Sequence, residues 1–207
     1  NKFDNIEYSL FQNKNEFNLK SKIDLKSISL KNQKNWKNFF PATKDLLDLK
    51  NNKIKMNYKN NFLSFSGSGQ IKIDKEFDDI DYFISRESDE ANFDINFDLN
   101  KTDFKIDNIN YKKNNNLITK LNISGSFLPK EKLLLRNLSI YDKKNKIKIT
   151  NLVFDKDNLL IKLDDAEFDY TDTENKANQF VIKRQEKDNY KLNGLFFNGN
   201  TIVTNLL

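Results

Sequence analysis

The chain has no cysteine and no histidine among its 207 residues. The first absence removes disulfides and thiolate metal sites together, and it suits a reducing or an oxidising compartment equally. The second removes histidine-based nucleophilic triads and histidine zinc sites. Glycine is scarce, at 5 residues, and proline scarcer, at 2, whereas asparagine and lysine abound. Asparagine can replace glycine at turns, because its short amide tolerates left-handed backbone and bonds to the local main chain. Arginine is also rare: Arg86, Arg136 and Arg184 are the only three among 35 basic residues. That speaks against a nucleic-acid partner, whose phosphates and guanines favour the guanidinium fork. No apolar run approaches the roughly 20 residues of a membrane-spanning helix. There is no initiating Met and no signal peptide, and the chain stops on Leu206-Leu207. Residues 1–207 therefore read as one segment of a longer polypeptide, and the lack of a targeting segment does not point to the cytosol.

Apolar residues make up 37% of the chain and charged residues 31%, a balance that leans towards disorder. The 18 Phe and 7 Tyr argue the other way, since disordered segments are poor in aromatics and cannot offset the entropy of folding. A folded chain with a thin core and a large wetted surface is expected. Its charge is uneven: residues 1–71 carry 13 basic and 6 acidic groups (+7), residues 72–110 carry 5 and 12 (−7), and residues 111–207 carry 17 and 12 (+5). The basic residues sit mostly on the polar phase of alternating stretches, as a solvated face does. Attraction to anionic headgroups is compatible with this pattern but not required by it.

Alternation is the dominant signal. In "FDINFDLNKTDFKIDNINY", residues 93–111, Phe93, Ile95, Phe97 and Leu99 occupy every second position, and Phe104 and Ile106 resume the pattern. Similar stretches run almost from end to end, at a spacing near ten residues, separated by turns rich in Asn, Lys, Asp and Gly. "KNNK" at 50–53, "GSGQ" at 67–70, "KKNK" at 143–146 and "DKDN" at 155–158 read as such turns. Short connections make the strands antiparallel neighbours in a meander. A one-residue phase slip between Leu25 and Ile28 predicts a bulge or bend. One stretch breaks the rhythm. In "NWKNFFPATKDLLDLK", 35–50, Pro41 and the leucines that follow predict a short amphipathic helix over 41–49, packed on or plugging one end of the sheet. A second helix after Asn200 is a weaker expectation, given Ile202 and Val203.

The fold class is thus mainly all-β. One face of the strands is Phe, Ile, Leu and Tyr, and the other is Asp, Lys, Asn and Ser. The apolar face has to be covered, by a second sheet, by closure into a barrel, or by a ligand. No motif points to chemistry. The acidic "EFDDID", 76–81, has no apolar pocket to separate two carboxyl pKa values and matches no Ca²⁺ loop, so it reads as a solvated turn. "SGSGQ", 66–70, lacks the GK[ST] ending of a phosphate loop and precedes a strand. Aromatics and lysines interleave in "IKMNYKNNFLSF", 54–65, but fall on opposite faces, which suits no nucleic-acid platform. No catalytic residue, metal site or cofactor is expected. What remains is the apolar face, either as a closed core or as an open groove covered by lipid acyl chains.

The order of features resembles the AsmA-like superfamily, the group containing AsmA, TamB and YhdP, most closely its YhdP-type region. The C-terminal "NYKLNGLFFNGNTIVTNLL", 189–207, is similar to the closing element of that family, although Asn198 stands where an Asp is usual. "NLSIYDKKNKIKITNLVFDKDN" at 137–158, "FSGSGQIKI" at 65–73 and "ITKLNISGSF" at 118–127 share its strand–turn rhythm. The resemblance implies a long, curved antiparallel meander sheet forming a groove. It also implies a periplasmic location within an inner-membrane-anchored protein that moves phospholipid between the inner and outer membranes. Its working part would be a face: Phe93, Ile95, Phe97, Leu99, Phe104, Ile106, Leu121, Ile123 and Phe127. The alternative is a closed, ligand-free structural domain of a surface or adhesin-like protein. Neither the lipid nor the oligomeric state is legible in the sequence.

Overall fold

A computed structural model of the chain describes residues 2–13, 16–31, 39–114, 117–129, 132–157, 159–186 and 189–199. The strands follow the alternating stretches closely. The first six are β1 (Lys2–Gln12), β2 (Phe17–Lys31), β3 (Leu46–Lys59), β4 (Phe62–Lys72), β5 (Phe77–Glu87) and β6 (Glu90–Leu99). A two-stranded ribbon follows, β7 (Lys105–Ile106) and β8 (Tyr111–Lys112), around a 3₁₀ turn at Asp107–Ile109. The meander then resumes with β9 (Thr119–Leu128), β10 (Lys132–Tyr141) and β11 (Lys146–Phe154). After β12 (Leu160–Lys162) come β13 (Asp165–Thr171), β14 (Ala177–Arg184) and β15 (Tyr190–Phe196). All but β7 and β8 belong to one 13-stranded sheet, in the order β1-β2-β3-β4-β5-β6-β9-β10-β11-β13-β14-β15, with β12 on β11 off this path. Neighbours along the path are all antiparallel, and the sheet is not closed into a barrel.

Asparagine does the conformational work expected of it. Among the described residues Asn51, Asn60, Asn61, Asn110, Asn151 and Asn175 have positive φ, joined only by Ser88, and no glycine does. Asn60 and Asn61 make the β3–β4 turn, and Asn175 lies between β13 and β14. Asn51 and Asn151 are different, because each sits inside a strand. At Asn51 (φ 53°), β3 shifts register against β4 between Lys50 and Lys53. Its partner β2 crosses the same point in phase, with Leu25 opposite Asn52 and Ile28 opposite Leu49. This is the anticipated slip, and it lets both Leu25 and Ile28 face the apolar side. On the far half of the sheet, Asn151 (φ 53°) lies next to the register shift between Leu135 and Asn137.

Three expectations fail here. Residues 41–45 are turns and bends, and β3 begins at Leu46, so there is no helix over 41–49. Leu47 faces Leu30 and Leu49 faces Ile28 across β2; the leucines that suggested a helical face are a strand phase, with Leu46 pointing out. "KNNK" is the kink inside β3 rather than a turn. "GSGQ" lies inside β4, because Gly67 and Gly69 leave room for neighbours: a Cβ at Gly67 would run into the Tyr82 ring. The second expected helix, after Asn200, lies outside the described residues.

The end of the sheet is nonetheless plugged. The segment 100–114, inserted between β6 and β9, lies against the 39–43 loop on one side and the end of β13 on the other. Lys105 N–H donates to the Phe39 carbonyl at 3.0 Å, and Phe39 stacks on Phe104. Tyr170 Oη donates to the Ile109 carbonyl at 2.6 Å, and Thr173 N–H donates to the Asn110 carbonyl at 3.0 Å. Ring contacts of 5.3, 6.4 and 5.9 Å run in sequence from Phe40 through Phe104 and Tyr111 to Tyr170. Phe40 therefore lies within about 18 Å of Tyr170. The loop that carries Phe40 is tied to the end of β4, Lys44 N–H donating to the Ile73 carbonyl at 3.4 Å. A flat sheet would put β4 and β13, six strand spacings apart, about 29 Å from each other. The sheet must curl around the plug.

Polar groups hold the plug in place. Asp78 at the start of β5 accepts the N–H groups of Asn100, Lys101 and Thr102 at 2.8–2.9 Å. Lys113 is buried and donates to the Asn100 carbonyl at 3.1 Å. Burial pushes its pKa down, while Asp78, Asp103 and Asp142 pull it back up. Burial raises the phenol pKa values of Tyr111 and Tyr170.

A second polar knot ties the chain after β15 to the β13–β14 turn. Burial of Asp172 works to raise its pKa. Hydrogen bonds from the Asn198 side chain, the Lys176 N–H, the Asn178 side chain and the Glu174 N–H outweigh this and hold the carboxyl below its ordinary range. A carboxyl with a lowered folded-state pKa stabilises fully above its unfolded value, and that contribution is lost as pH falls through the folded value. Stability should therefore decline below about pH 4. Asp172→Asn should flatten that acid limb in urea titrations at stepped pH; an unchanged slope would remove Asp172 as its source.

Candidate functional site

The registers of eleven consecutive strand pairs compose into one row. Ile6 faces Ile23, which faces Ile54, and the row continues through Gly67, Tyr82, Ile95, Ile123, Leu138, Ile149, Ala166 and Ile182 to Leu192. Directly opposed residues in antiparallel strands share a face. The row is therefore a continuous apolar line from one edge of the sheet to the other, crossing twelve strands over about 50 Å of sheet. It contains no charge. At its one position without a side chain, Gly67, the Tyr82 ring lies across the gap, and Phe93 covers Gly125 in the neighbouring row in the same way.

Exposure is graded across the rows. One step towards the plug, Ile80, Phe97, Leu121, Ile140, Ile147, Phe168 and Phe180 form a buried row, which continues through Gly69 and the buried Asn52 to Leu25. Between its exposed ends at Ile6 and Leu192 the isoleucine row rests on it half-buried, with Ala166 fully buried. Beyond this, towards the open ends of the strands, come Met56, Phe65, Ile84 and Phe93, then Leu19, Tyr58, Leu63 and Phe127. Phe97 is 1% exposed and Phe127, three rows away, is 56% exposed. In cross-section the apolar face is a trough with a dry base and an open upper wall.

Two arginines stand on the apolar face. Arg184 lies one row from Ile182, opposite Tyr190 and 3.7 Å from the Asp164 carboxylate. At the rim Arg86 lies between Leu63 and Ala91, its Nε donating to the Ser88 carbonyl at 3.3 Å. Arg136, at the β10 bulge, turns to the other side and bonds Asn92, Ser126 and the Gly125 carbonyl. Among the described residues no group of His, Cys, Asp or Glu could hold a metal ion. No described helix is long and apolar enough to cross a membrane.

No family model, curated protein or solved structure matches the chain.

The nine candidate residues divide by row. Phe97, Leu99, Phe104 and Leu121 are at most 3% exposed and belong to the closed base; no ligand reaches them while the plug is seated. The even alternation of residues 93–106 hid this, because burial depends on the inserted ribbon. Phe104 and Ile106 are in that ribbon and not in the sheet: Phe104 fills the plug, and Ile106 packs half-buried against the core. Ile95 and Ile123 are directly paired members of the half-buried row. Phe93 and Phe127 line the open wall, their rings 5.4 Å apart. Sequence reading missed Ile23, Ile54, Tyr82, Leu138, Ile149, Ile182 and Leu192 as members of the same line. Each lies in a recognisable alternating stretch, but alignment between strands is set by turns and bulges that periodicity does not count. It also missed Arg86, whose phase places it on the apolar face.

Proposed function

We propose that the trough carries lipid acyl chains, as one segment of an AsmA-like envelope protein that passes phospholipid between the inner and outer membranes through the periplasm. The observation that carries this reading is the edge-to-edge apolar row, half-covered over most of the sheet and open on one side. Each acyl CH₂ taken out of water is worth roughly 0.8 kcal/mol, so a continuous apolar line holds chains along its whole length. Aliphatic side chains at most strands, with the Tyr82 ring across the gap at Gly67, give no position a strong advantage, which favours sliding over trapping. The headgroup would stay at the rim, where Arg86 supplies a cation for its phosphate. The proposal includes no chemical step. The closed base by itself also suits a ligand-free structural domain of a surface protein. The open wall does not, because such a domain gains nothing from leaving Phe127 and Ile84 uncovered.

The test is photocrosslinking with benzoylphenylalanine, placed singly at Ile123 or Phe127 on the lane and at Asn122 or Asp94 on the polar face. Expressed in a Gram-negative host and irradiated, the lane positions should yield phospholipid adducts by mass spectrometry, and the polar-face positions none. Adducts absent from the lane, or equal on both faces, would sink the reading.

A further inference from the structure

We propose that two copies of this chain pair back to back through the polar face around β4, about a twofold axis that runs along that strand. The charges of this face are ordered. In one row, Lys22 on β2 and Lys55 on β3 are followed by Ser66 on β4, Phe83 on β5 and Asp94 on β6. The next row runs from Lys53 through Ser68 to Asp81, and the one after it from Lys50 through Gln70 to Asp79. In all three rows β3 supplies a lysine, β5 or β6 a carboxylate, and β4 between them carries no charge. The one reversal of sign is Asp24, beyond Lys53 on β2.

These charges are not paired within the chain. Lys53 and Asp81 stand on opposite sides of a shallow hollow of about 690 Å³, with the small side chains of Ser66 and Ser68 between them. Among the described residues Lys22, Lys53, Lys55 and Asp81 form no ion pair, and Asp94 accepts only the Asn96 amide, at 3.1 Å. Lys22 stands directly opposite Lys55, and like charges in that position destabilise a sheet. Glu7, on the other side of Lys22, is bonded by the Asn5 amide instead.

A twofold axis along β4 lays each row over the same row of the second copy, reversed. Lys53 then meets Asp81 of the other copy, Lys50 meets Asp79, Lys22 meets Asp94, and Lys55 covers the Phe83 ring as a cation–π contact. Each contact occurs twice, as in any isologous dimer. Asp24 meets the uncharged Asn96, which continues the row of Asp81. Sheets packed face to face lie about 10 Å apart, a gap that a lysine and an aspartate side chain span together. A twofold axis across the strands would instead set β3 on β3 and lysine on lysine. The charge pattern therefore selects one axis and one occupant, a second copy. The surface is interior to the sheet, with three strands on one side of β4 and eight on the other along the path, so it does not depend on either edge strand being free. At about 20 Å across, it belongs with the smaller, reversible interfaces. Both apolar faces stay outward, so failure of lipid crosslinking leaves it standing.

Sedimentation equilibrium of the 207-residue chain should show monomer and dimer, with association weakened about tenfold when salt rises from about 0.05 to about 0.5 M. Lys53→Glu and Asp81→Lys, both at exposed positions, should each weaken the dimer about tenfold with an unchanged circular dichroism spectrum, because the symmetry sets two like pairs against each other. Mixed in equal amounts, the two variants should dimerise with one another, since both contacts are again complementary. The doubly substituted chain should dimerise with itself for the same reason. A wild-type chain that stays monomeric at low salt overturns the proposal. So does a dimer indifferent to both variants, or a mixture in which association is not recovered.

Discussion

Truncation of Phe97 to alanine should cost about 3–5 kcal/mol of folding stability, the range for emptying a large aromatic site in a closed core. Phe97 is 1% exposed, opposite Ile80 on one side and Leu121 on the other, and both are buried too. The row they share is pinned between the sheet and the plug, so little can relax into the space. Phe127→Ala, on the same face and only three rows away, should cost about 1 kcal/mol or less, because its side chain is already half in water. Urea denaturation followed by circular dichroism measures both. Similar losses at the two positions would mean that the whole face is one closed core, and the trough would be excluded. The contrast also defines which variants can report on ligand binding: a charge at Phe97 would unfold the protein, whereas a charge at Phe127 should leave it folded.

The second large effect is expected at Asp78. Its carboxylate accepts three successive backbone N–H groups, Asn100 and Lys101 on Oδ1 and Thr102 on Oδ2. Asp78→Ala would leave these donors with no partner at a site that is 3% exposed. A stranded buried donor costs about 1–3 kcal/mol, and water can reach some of the three, so a loss of about 3 kcal/mol is expected. Asp78→Asn should cost less, since its single oxygen still accepts from Asn100 and Lys101 while its amide opposes the Thr102 N–H. The readout specific to this site is hydrogen exchange. Residues 100–114 should lose protection in Asp78→Ala before β9 and β10 do. Simultaneous loss over the whole sheet would show that the ribbon does not open separately from the strands it covers.

The motif that contains Asp78 illustrates the limit of local reading. "EFDDID" has the composition of a solvated acidic turn, but from Phe77 on it is the start of β5, with Asp79 and Asp81 exposed on its polar face. Asp78 differs only because the chain returns from Leu99 and presents three amides to it, 22 to 24 residues later. Nothing in the six residues distinguishes the buried carboxylate from its neighbours.

By itself the sequence determined the class of object: antiparallel strands with one apolar and one polar face, asparagine where the backbone turns left-handed, and a bend between Leu25 and Ile28. These follow from period-two alternation and from side-chain conformational preference, both properties of neighbouring residues. Tertiary structure decided the rest. Which apolar residues are core and which are lane depends on a ribbon at 104–112 folding back over one end of the sheet, and its alternation looks like that of any other strand. The leucines at 46–49 joined the sheet because Ile28 and Leu30 were there to pair with them, a contact worth more than the helix that Pro41 could have started. The apolar row itself exists only as the product of eleven registers, and register is a relation between distant segments that no single stretch of sequence contains.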